Sequence, residues 1–268
     1  KVALKAAALD EASGMVVSQR DDQLLWLLND SGGAPALYLA GTDGSDRGLC
    51  VIRGATNVDW EDLSSFKLDG KPYLLIADAG DNASKRQSCT LYIIAEPPLP
   101  KPGAALNAVA PIAWSIHFVY PDGPRDCEAV AVDAAAQKII LVSKRTKPPV
   151  VYELPLHPAD PAILQVAKRV GTTSVPQPEW SIPIPYGTQP TGLAFSPDGA
   201  TAAIVTYTAI HIFPRAKGES WAAALGRPAT QILPHPLSQA ESIAFSSNGK
   251  TLRIVSEGLH SPILTYQR

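Results

Sequence analysis

The sequence ESIAFSSNG at residues 241–249 closely matches TGLAFSPDG at residues 191–199, and this pair reveals the repeat that decides the fold. Three further segments align with them from a glutamate: EASGMVVS from Glu11, EDLSSFKL from Glu61 and EAVAVDAA from Glu128. Four of the five segments begin with glutamate, and the fourth residue of each is small, as expected where neighbouring strands converge. The alignment therefore predicts five copies of one structural unit.

A second apolar run follows each aligned segment at a nearly constant spacing. The runs end 16 to 19 residues after the start of their repeats, at Asp30, Asp78, Lys144, Tyr207 and Glu257. Third and fourth runs come next, such as LYIIA and AWSIHFVY in the second unit. Because four-stranded units repeated around an axis form a β-propeller, the sequence predicts an all-β, five-bladed propeller.

The last unit lacks its outermost strand, because the chain stops at Arg268 directly after the run PILTYQ. The N-terminal VALKAAAL precedes the first unit and fits no other position. Pairing an N-terminal strand with the last blade would close the ring without an exposed seam. We therefore expect residues 1–268 to form a single propeller domain closed in this way. Extra strands within 93–127 and 153–190 would give six blades, which is the alternative.

Composition limits the possible partners of the protein. The 268 residues are 46% hydrophobic and 18% charged, which suits a sizeable core. A formal net charge of −2 gives no electrostatic basis for binding nucleic acid. No apolar run approaches the roughly 20 residues of a transmembrane helix. The chain begins at Lys1 rather than Met, which favours an exported protein in the periplasm or outside the cell. We expect a monomer.

Propeller topology places the polar ends of the predicted strands on one rim. Starts of first strands and ends of second strands lie at the same end of each blade. The starts should ring the channel mouth, and they are Glu11, Glu61, Glu128, Thr191 and Glu241. The ends should stand just outside this ring, and they are Asp30, Asp78, Lys144, Tyr207 and Glu257.

This ring concentrates negative charge and therefore needs compensation. Carboxylates in one funnel repel each other, and holding them there without positive charge is costly. Oxygen ligands of this kind suit Ca²⁺ or Mg²⁺, so we expect a divalent cation. Its expected ligands are Glu11, Glu61, Glu128 and Glu241. Shared protons, or the side chains of Arg125, Lys144 and Arg145, are other sources of compensation. Alternatively, the glutamates accept backbone hydrogen bonds from the neighbouring blade and act as struts.

The stretch NVDWED at residues 57–62 crosses the predicted rim. Asp59 and Trp60 are therefore candidates for contacts with a substrate, together with Tyr207 and Glu257 on the neighbouring units. A packing role between blades is the favoured alternative for Trp60, because large aromatic side chains dominate cores.

Two cysteines of adjacent units fall on this same face. Cys89 lies in the rim loop of the second unit and Cys127 at the start of the third, so these two thiols could pair. Cys50 opens an outer strand at the far face and should reach neither of them. Three small buried hydrophobic residues are the alternative.

The combination of EASGM with LLNDSGG, NVDWED with IADAGDN, DCEAVAVD with VSKR, and ESIAFSSNG with VSEG also suggests relatives. Over nearly the whole chain it resembles bacterial exported β-propeller proteins of the phytase-like or SdiA-regulated-like type. More distantly it is similar to soluble calcium-activated nucleotidases, five-bladed propellers with a cation at the channel mouth. Glu61, Glu128 and Glu241 match positions where such a site needs carboxylates, whereas Thr191 departs from them.

Two functions from different classes follow. The first is a divalent-metal-dependent hydrolase of a phosphoester or related ester, in which the cation polarises the substrate and activates water. Asp78 or Asp30 would be the general base, and Lys144 with Arg145 would hold the developing negative charge. The second is a non-catalytic propeller of the cell envelope that binds a ligand or a protein. It is favoured by the lack of a G-x-S-x-G elbow, an HExxH motif or a P-loop.

Overall fold

The computed structural model describes residues 2–178 and 184–268, which form five sheets arranged as the blades of a propeller. Strands are numbered in chain order. Blade one contains β2 (Ala12–Val17), β3 (Leu24–Asn29), β4 (Ala36–Gly41), β5 (Asp46–Arg53) and β9 (Leu106–Pro111). Blade two contains β6 (Trp60–Leu68), β7 (Lys71–Asp78), β8 (Cys89–Ala95), β10 (Trp114–Val119) and β14 (Gln165–Val166).

The remaining three blades have four strands each within the described ranges. Blade three contains β11 (Cys127–Asp133), β12 (Lys138–Ser143), β13 (Val150–Pro155) and β15 (Lys168–Thr172). Blade four contains β16 (Pro190–Phe195), β17 (Thr201–Thr206), β18 (Ala209–Pro214) and β19 (Gln231–Pro234), with helix α1 (Trp221–Leu225) before its last strand. Blade five contains β20 (Ala240–Phe245), β21 (Thr251–Ser256), β22 (Pro262–Gln267) and β1 (Val2–Ala3).

The blades form a closed ring. The first strand of each blade contacts the first strand of the next, and β20 of blade five contacts β2 of blade one. Buried apolar side chains of facing sheets fill the spaces between neighbouring blades. The prediction of an all-β, five-bladed propeller is confirmed. Within the described part of the chain, no helix is long and apolar enough to cross a membrane.

The N-terminal strand closes the ring as predicted. β1 pairs with β22 in antiparallel register, with Val2 opposite Ile263. The amide of Leu4 also donates to the carbonyl of Ser261 at 2.9 Å. Because β22 is the last strand of blade five, this pairing covers its outer edge with the opposite end of the chain.

The long segments that raised the possibility of six blades extend existing blades. β9 runs parallel to β5 and adds a fifth strand to blade one. β14 runs parallel to β10 and adds a fifth strand to blade two. Each segment therefore returns to the edge of an earlier blade, and the six-bladed alternative is wrong.

A register shift occurs near the start of every inner strand, and it corrects the alignment of the first repeat. The residues skipped by the pairing are Ser13, Glu61, Glu128, Thr191 and Glu241. Four of these are the residues expected to begin the repeats. In blade one the bulged residue is Ser13 rather than Glu11, so the alignment of this repeat was offset by two residues. A bulge of this kind changes the direction of a side chain. It leaves one residue per blade outside the regular hydrogen-bonded pairing of the first two strands.

Asp62, the residue after the bulge in blade two, connects three blades at the hub. Its Oδ2 accepts the amides of Val130 at 2.8 Å and Leu193 at 3.3 Å, from blades three and four. Its Oδ1 accepts the amide of Leu63 at 2.8 Å. The side chain is 1% exposed. Burial raises the pKa of Asp62 well above its usual value, and the three amide bonds oppose that rise. Asp62 thus satisfies backbone donors of inner strands that converge too closely for water-mediated bonds.

The cysteines are buried free thiols in the described structure. Cys89 and Cys127 belong to the same apolar cluster between blades two and three, whereas Cys50 lies in another cluster. Burial raises the pKa of both Cys89 and Cys127 to about 12. With free thiols, the three cysteines therefore match the alternative of small buried hydrophobic residues.

Replacing Asp62 with Asn should destabilise the protein by about 2–4 kcal/mol, because either amide orientation turns an NH₂ group toward a backbone N–H. Urea unfolding followed by tryptophan fluorescence measures this loss. Asp160→Asn is the matched control, since Asp160 is exposed and accepts a turn amide that asparagine can also bind. Equal stability of the two variants would contradict the hub role of Asp62.

Acid should destabilise the propeller through His211, which is fully buried and whose ring nitrogens lack hydrogen-bond partners among the described residues. Burial, assisted by His235, lowers the pKa of His211 from 6.5 to about 4. Since the unfolded chain binds this proton first, the free energy of unfolding should fall by about 3 kcal/mol as the pH drops through that interval. His211→Leu should flatten the profile relative to wild type in urea titrations at several pH values. Parallel profiles would contradict this assignment.

Candidate functional site

Five carboxylates of the first three blades meet at one mouth of the channel. They form two groups of three that share Glu61: Asp30, Asp59 and Glu61, and Glu61, Asp126 and Glu128. Within each group, one oxygen from every residue lies within 4.8 Å of the others. Two oxygens on opposite sides of a single Ca²⁺ ion are about 4.6–5.2 Å apart, so these separations suit a common cation.

The repeat explains how the backbone places these acids. Glu61 and Glu128 are the bulged residues of β6 and β11, and Asp59 and Asp126 each lie two positions earlier. The carbonyl of Asp59 accepts the amide of Gly80 at 3.1 Å, and that of Asp126 accepts the amide of Lys144 at 3.0 Å. Strand starts are thereby tied to the loops that follow the second strands. In blades two and three, two acidic positions consequently reach the same rim.

Glu61 lies at the centre of the site, and one of its oxygens has no partner. The residue is 2% exposed, and Ser13 Oγ donates to its Oε2 at 3.1 Å. Its Oε1 is buried and has no hydrogen-bond partner within the described ranges. Burial raises the pKa of Glu61 well above its usual value, and repulsion from Glu128 adds to the rise. An unpaired buried oxygen is costly unless a proton or a cation occupies it.

Because Gly80 has no side chain, the carboxylates of Glu61 and Asp59 can lie close to its backbone. A Cβ atom at this position would lie 2.3 Å from Glu61 Oε1 and 2.6 Å from Asp59 Oδ2, which are impossible contacts. Any larger residue would therefore displace both carboxylates. The glycine of the DAGDN loop thus contributes to the site through the side chain it lacks.

Two cations of blade three compensate part of the charge. Lys144 Nζ forms a buried ion pair with Glu128 Oε2, and it lies 5.3 Å from the centre of the Tyr207 ring. Burial alone would lower the pKa of Lys144, but Glu128 and Glu241 outweigh it and raise the pKa. Arg145 Nε lies 2.7 Å from Asp126 Oδ2. Glu128 and Asp126 therefore have counter-charges within the protein.

Hydrogen bonds hold the part of the rim in blades four and five, although Glu241 Oε2 is buried and has no hydrogen-bond partner within the described ranges. Tyr207 donates its hydroxyl to Glu241 Oε1 at 2.9 Å. Burial raises the pKa of Glu241 to about 7 against the opposing effect of Lys144. Thr191 donates to the carbonyl of Ala240 at 2.5 Å, which fits a strut between blades. Glu257 is half-buried and accepts the side-chain amide of Gln239 at 2.6 Å. Glu241 is not in either group of carboxylates.

Besides Glu241, the structure places three further predicted site residues outside this arrangement. Glu11 is exposed and lies two positions before the bulge, where Asp59 and Asp126 lie in their blades. Asp78 is buried and forms an ion pair with Arg86 at 2.7 Å, so it is not placed to take a proton from water. Trp60 is fully buried and donates to the carbonyl of Thr56, which matches the packing alternative. Hence we do not assign metal, base or substrate roles to these residues.

Asp126 and Arg86 were missed by the sequence argument. Asp59-Trp60-Glu61 and Asp126-Cys127-Glu128 share the pattern D-x-E, and this repeat would have identified Asp126. No comparable signal marks Arg86, which reaches back from the loop after β7 to Asp78.

A second and larger opening lies at the opposite end of the channel. Its volume is about 1050 Å³, and it is lined by the turns between first and second strands, including Pro197, Asp198 and Ser247. These turns contain the segments SPDG and SSNG of the aligned repeats. Asp62 and its amide partners occupy the hub between the two ends. The large opening and the carboxylates are therefore separate surfaces.

Comparisons with known proteins support the fold. No protein-family profile matches the chain, and no curated protein does. The Kuenenia stuttgartiensis hydrazine synthase structure matches with a TM-score of 0.51 at 10% identity, over 96% of this chain and 71% of that one. A putative 6-phosphogluconolactonase from Bacteroides uniformis ATCC 8492 has a TM-score of 0.43 at 15% identity, over 100% and 69%. A nidogen/laminin complex has a TM-score of 0.47 at 11% identity, over 97% and 81%. The hydrazine synthase match, with a TM-score above 0.5 at 10% identity, supports the fold and nothing further.

Lys144→Met should destabilise the protein by about 3–5 kcal/mol, because it leaves Glu128 buried without its partner. Adding Glu128→Gln should restore most of this loss, since no uncompensated charge then remains. A double-mutant cycle in urea measures the coupling energy. Strictly additive effects of the two substitutions would contradict the compensation of Glu128 by Lys144.

Proposed function

We propose that the protein binds a hard divalent cation, Ca²⁺ or Mg²⁺, at the acidic channel mouth and uses it to hydrolyse a phosphate ester. The proposed ligands are Glu61, Asp126 and Glu128. The observation that carries this proposal is the buried Glu61 carboxylate. Its Oε1 has no hydrogen-bond partner in the described ranges, and one of its oxygens lies within 4.8 Å of oxygens of the neighbouring carboxylates. Oxygen-only ligand sets select hard cations over zinc or copper.

The distribution of ion pairs in the site supports the binding of a metal cation beside Glu61. Lys144 and Arg145 are the cations paired with Glu128 and Asp126, and Glu61 has no ion pair within the described ranges. A bound cation would remove the repulsion between Glu61 and Glu128 that raises the pKa of Glu61.

The neighbouring pair Asp30 and Asp59 supplies the proton-transfer group in this proposal. Burial, and the charge of Asp30, raise the pKa of Asp59 to about 7. Both residues are half-buried and therefore closer to solvent than Glu61. A base with a pKa near neutrality is suited to take a proton from water. The water oxygen would form the new bond to phosphorus while the bond from phosphorus to the ester oxygen breaks. The leaving oxygen would then receive the proton that Asp59 took from the water.

Lys144 and Arg145 complete the proposed site. The cation supplies Lewis-acid polarisation of the phosphoryl group and lowers the pKa of a bound water. The two side chains lie on the same rim and would stabilise negative charge that builds on the phosphoryl oxygens. This assignment retains the predicted roles of Asp30, Lys144, Arg145, Glu61 and Glu128.

The phytase-like resemblance and an exported location belong to this proposal. Calcium sites of extracellular modules bind in the range of roughly 10⁻⁴–10⁻³ M, which a few carboxylates at a channel mouth can reach. A protein with such a site would be loaded where calcium is abundant, in the periplasm or outside the cell.

A non-catalytic binding propeller is the second candidate, and the pairing of Lys144 with Glu128 favours it. That pair, together with protons on Glu61, Asp59 and Glu241, could compensate the site without a cation. The rim would then hold a ligand by hydrogen bonds and charge, with no chemical step.

Cation binding is the first test. Adding Ca²⁺ or Mg²⁺ at 100 times its dissociation constant should stabilise the wild type by about 2.7 kcal/mol, because only the folded chain holds the ligands together. Glu61→Gln should abolish this stabilisation in thermal-shift and calorimetric titrations. Glu219→Gln is the matched control, because Glu219 lies in the loop before α1 and pairs with Arg227. A Glu61→Gln variant that responds like wild type would exclude the site.

Turnover is the second part of the same experiment. A panel of phosphate esters should be hydrolysed only with the cation present, and Asp59→Asn should lower kcat by about 10²–10⁴-fold as expected for loss of a general base. Cation binding without turnover of any ester would favour the binding propeller instead.

A further inference from the structure

A groove between blades three and four opens beside the acidic mouth. One side is the loop after β12, from Lys144 to Pro149. The other side is formed by residues 173–176, which follow β15, and by residues 188–189, which precede β16. Its volume is about 200 Å³. Because Lys144 belongs both to the groove and to the ion pair with Glu128, the two sites share a wall.

Basic side chains line the groove, and two of them are paired with carboxylates of the mouth. Lys144, Arg145 and Lys147 line it, and its described lining includes no carboxylate. Lys147 is exposed and has no ion pair within the described ranges. Hydroxyl groups of threonine and serine make up much of the remaining polar lining. Such a surface attracts anions and offers hydrogen bonds to oxygen atoms.

Thr173 provides a buried polar group without a partner in this groove. The residue is 3% exposed, and its Oγ1 has no hydrogen-bond partner within the described ranges. Its backbone is fixed, because its amide donates to the carbonyl of Pro149 at 2.9 Å. An unsatisfied buried hydroxyl costs roughly 1–3 kcal/mol, which a ligand oxygen in the groove would recover.

Apolar side chains form the rest of the wall and indicate the size of the ligand. Pro148, Pro149, Val175 and Pro176 line the groove, and prolines present a surface with little conformational freedom. A volume of about 200 Å³ is below the roughly 300–1,000 Å³ of pockets for drug-sized ligands. The groove therefore fits an organic group of about one ring.

We infer that this groove binds the organic part of a small phosphate monoester whose phosphoryl group lies against Lys144 and Arg145. The Thr173 hydroxyl donates to a ligand oxygen, and Lys147 attracts the anion from solvent. The position of the phosphoryl group beside the proposed metal ion rests on the proposed function, whereas binding of the organic group in the groove does not. Larger polyanions do not enter, because the groove is too small for them.

Binding of phenyl phosphate tests this inference directly. Isothermal titration calorimetry in buffer without divalent cations, where the ester is not hydrolysed, should show a Kd about tenfold higher for Thr173→Val, which removes a hydroxyl at constant volume. Lys147→Gln should raise the Kd about two- to fivefold at low salt, as for an exposed charge. Thr265→Val and Lys101→Gln are matched controls at exposed positions outside the groove, and they should leave the Kd unchanged.

The outcomes separate this inference from the proposed metal site. Phenyl phosphate should bind the wild type at least tenfold more tightly than inorganic phosphate, and equal affinities would overturn the groove assignment. Unchanged affinity in both groove variants, or no binding of phenyl phosphate by the wild type, would overturn it too. Tb³⁺ luminescence titration tests the cation site in the same variants and should give wild-type affinity. If Glu61→Gln binds Tb³⁺ normally while Thr173→Val weakens phenyl phosphate binding, the groove stands and the proposed metal site fails.

Discussion

Five inner strands converge on one axis, and the rest of the structure depends on how their backbone groups are satisfied there. Asp62 accepts amides from its own blade and from blades three and four, so one carboxylate fixes the spacing of three strands. The same convergence excludes bulk at Gly14, where a Cβ would lie 2.9 Å from the amide nitrogen of Leu63. The hub lies between the two mouths, so the acidic face and the opposite face are separate surfaces.

The acids at the mouth follow from the bulge that each inner strand makes before reaching the hub. A bulge turns one residue per blade away from the ladder, and the composition of that position differs around the ring. Ser13 and Thr191 satisfy their hydroxyls by hydrogen bonds to a neighbouring blade. Glu128 forms an ion pair with Lys144, and Glu241 accepts a hydrogen bond from the Tyr207 hydroxyl. Glu61 and Glu241 each keep one buried oxygen without a hydrogen-bond partner in the described chain, and of these two residues Glu61 is the one that lies in a group of carboxylates suited to a cation.

Repeat spacing was enough to predict the fold, because strand length and turn position recur even where side chains change. The five blades and the closing N-terminal strand follow from it directly. Glu11 shows the limit of prediction from repeat spacing. This glutamate was aligned as the start of the first repeat, but the bulge at Ser13 sets the register, and no residue type predicts a bulge. Asp78 shows a second limit of this prediction, since its ion pair with Arg86 depends on the path of a loop. Rim position could be predicted for these residues, whereas burial and partner could not.

The ring is symmetric in its backbone and asymmetric in its charge, and the asymmetry locates the candidate chemistry. Carboxylates with separations suited to one cation lie in blades one to three, while the rim of blades four and five is closed by hydrogen bonds. Lys144 stands at the boundary, with Glu128 on one side and the cationic groove on the other. A ligand that carries both a phosphoryl group and an organic group would meet complementary surfaces only at this boundary. The order in which the charges alternate around the rim would then set the orientation of the substrate.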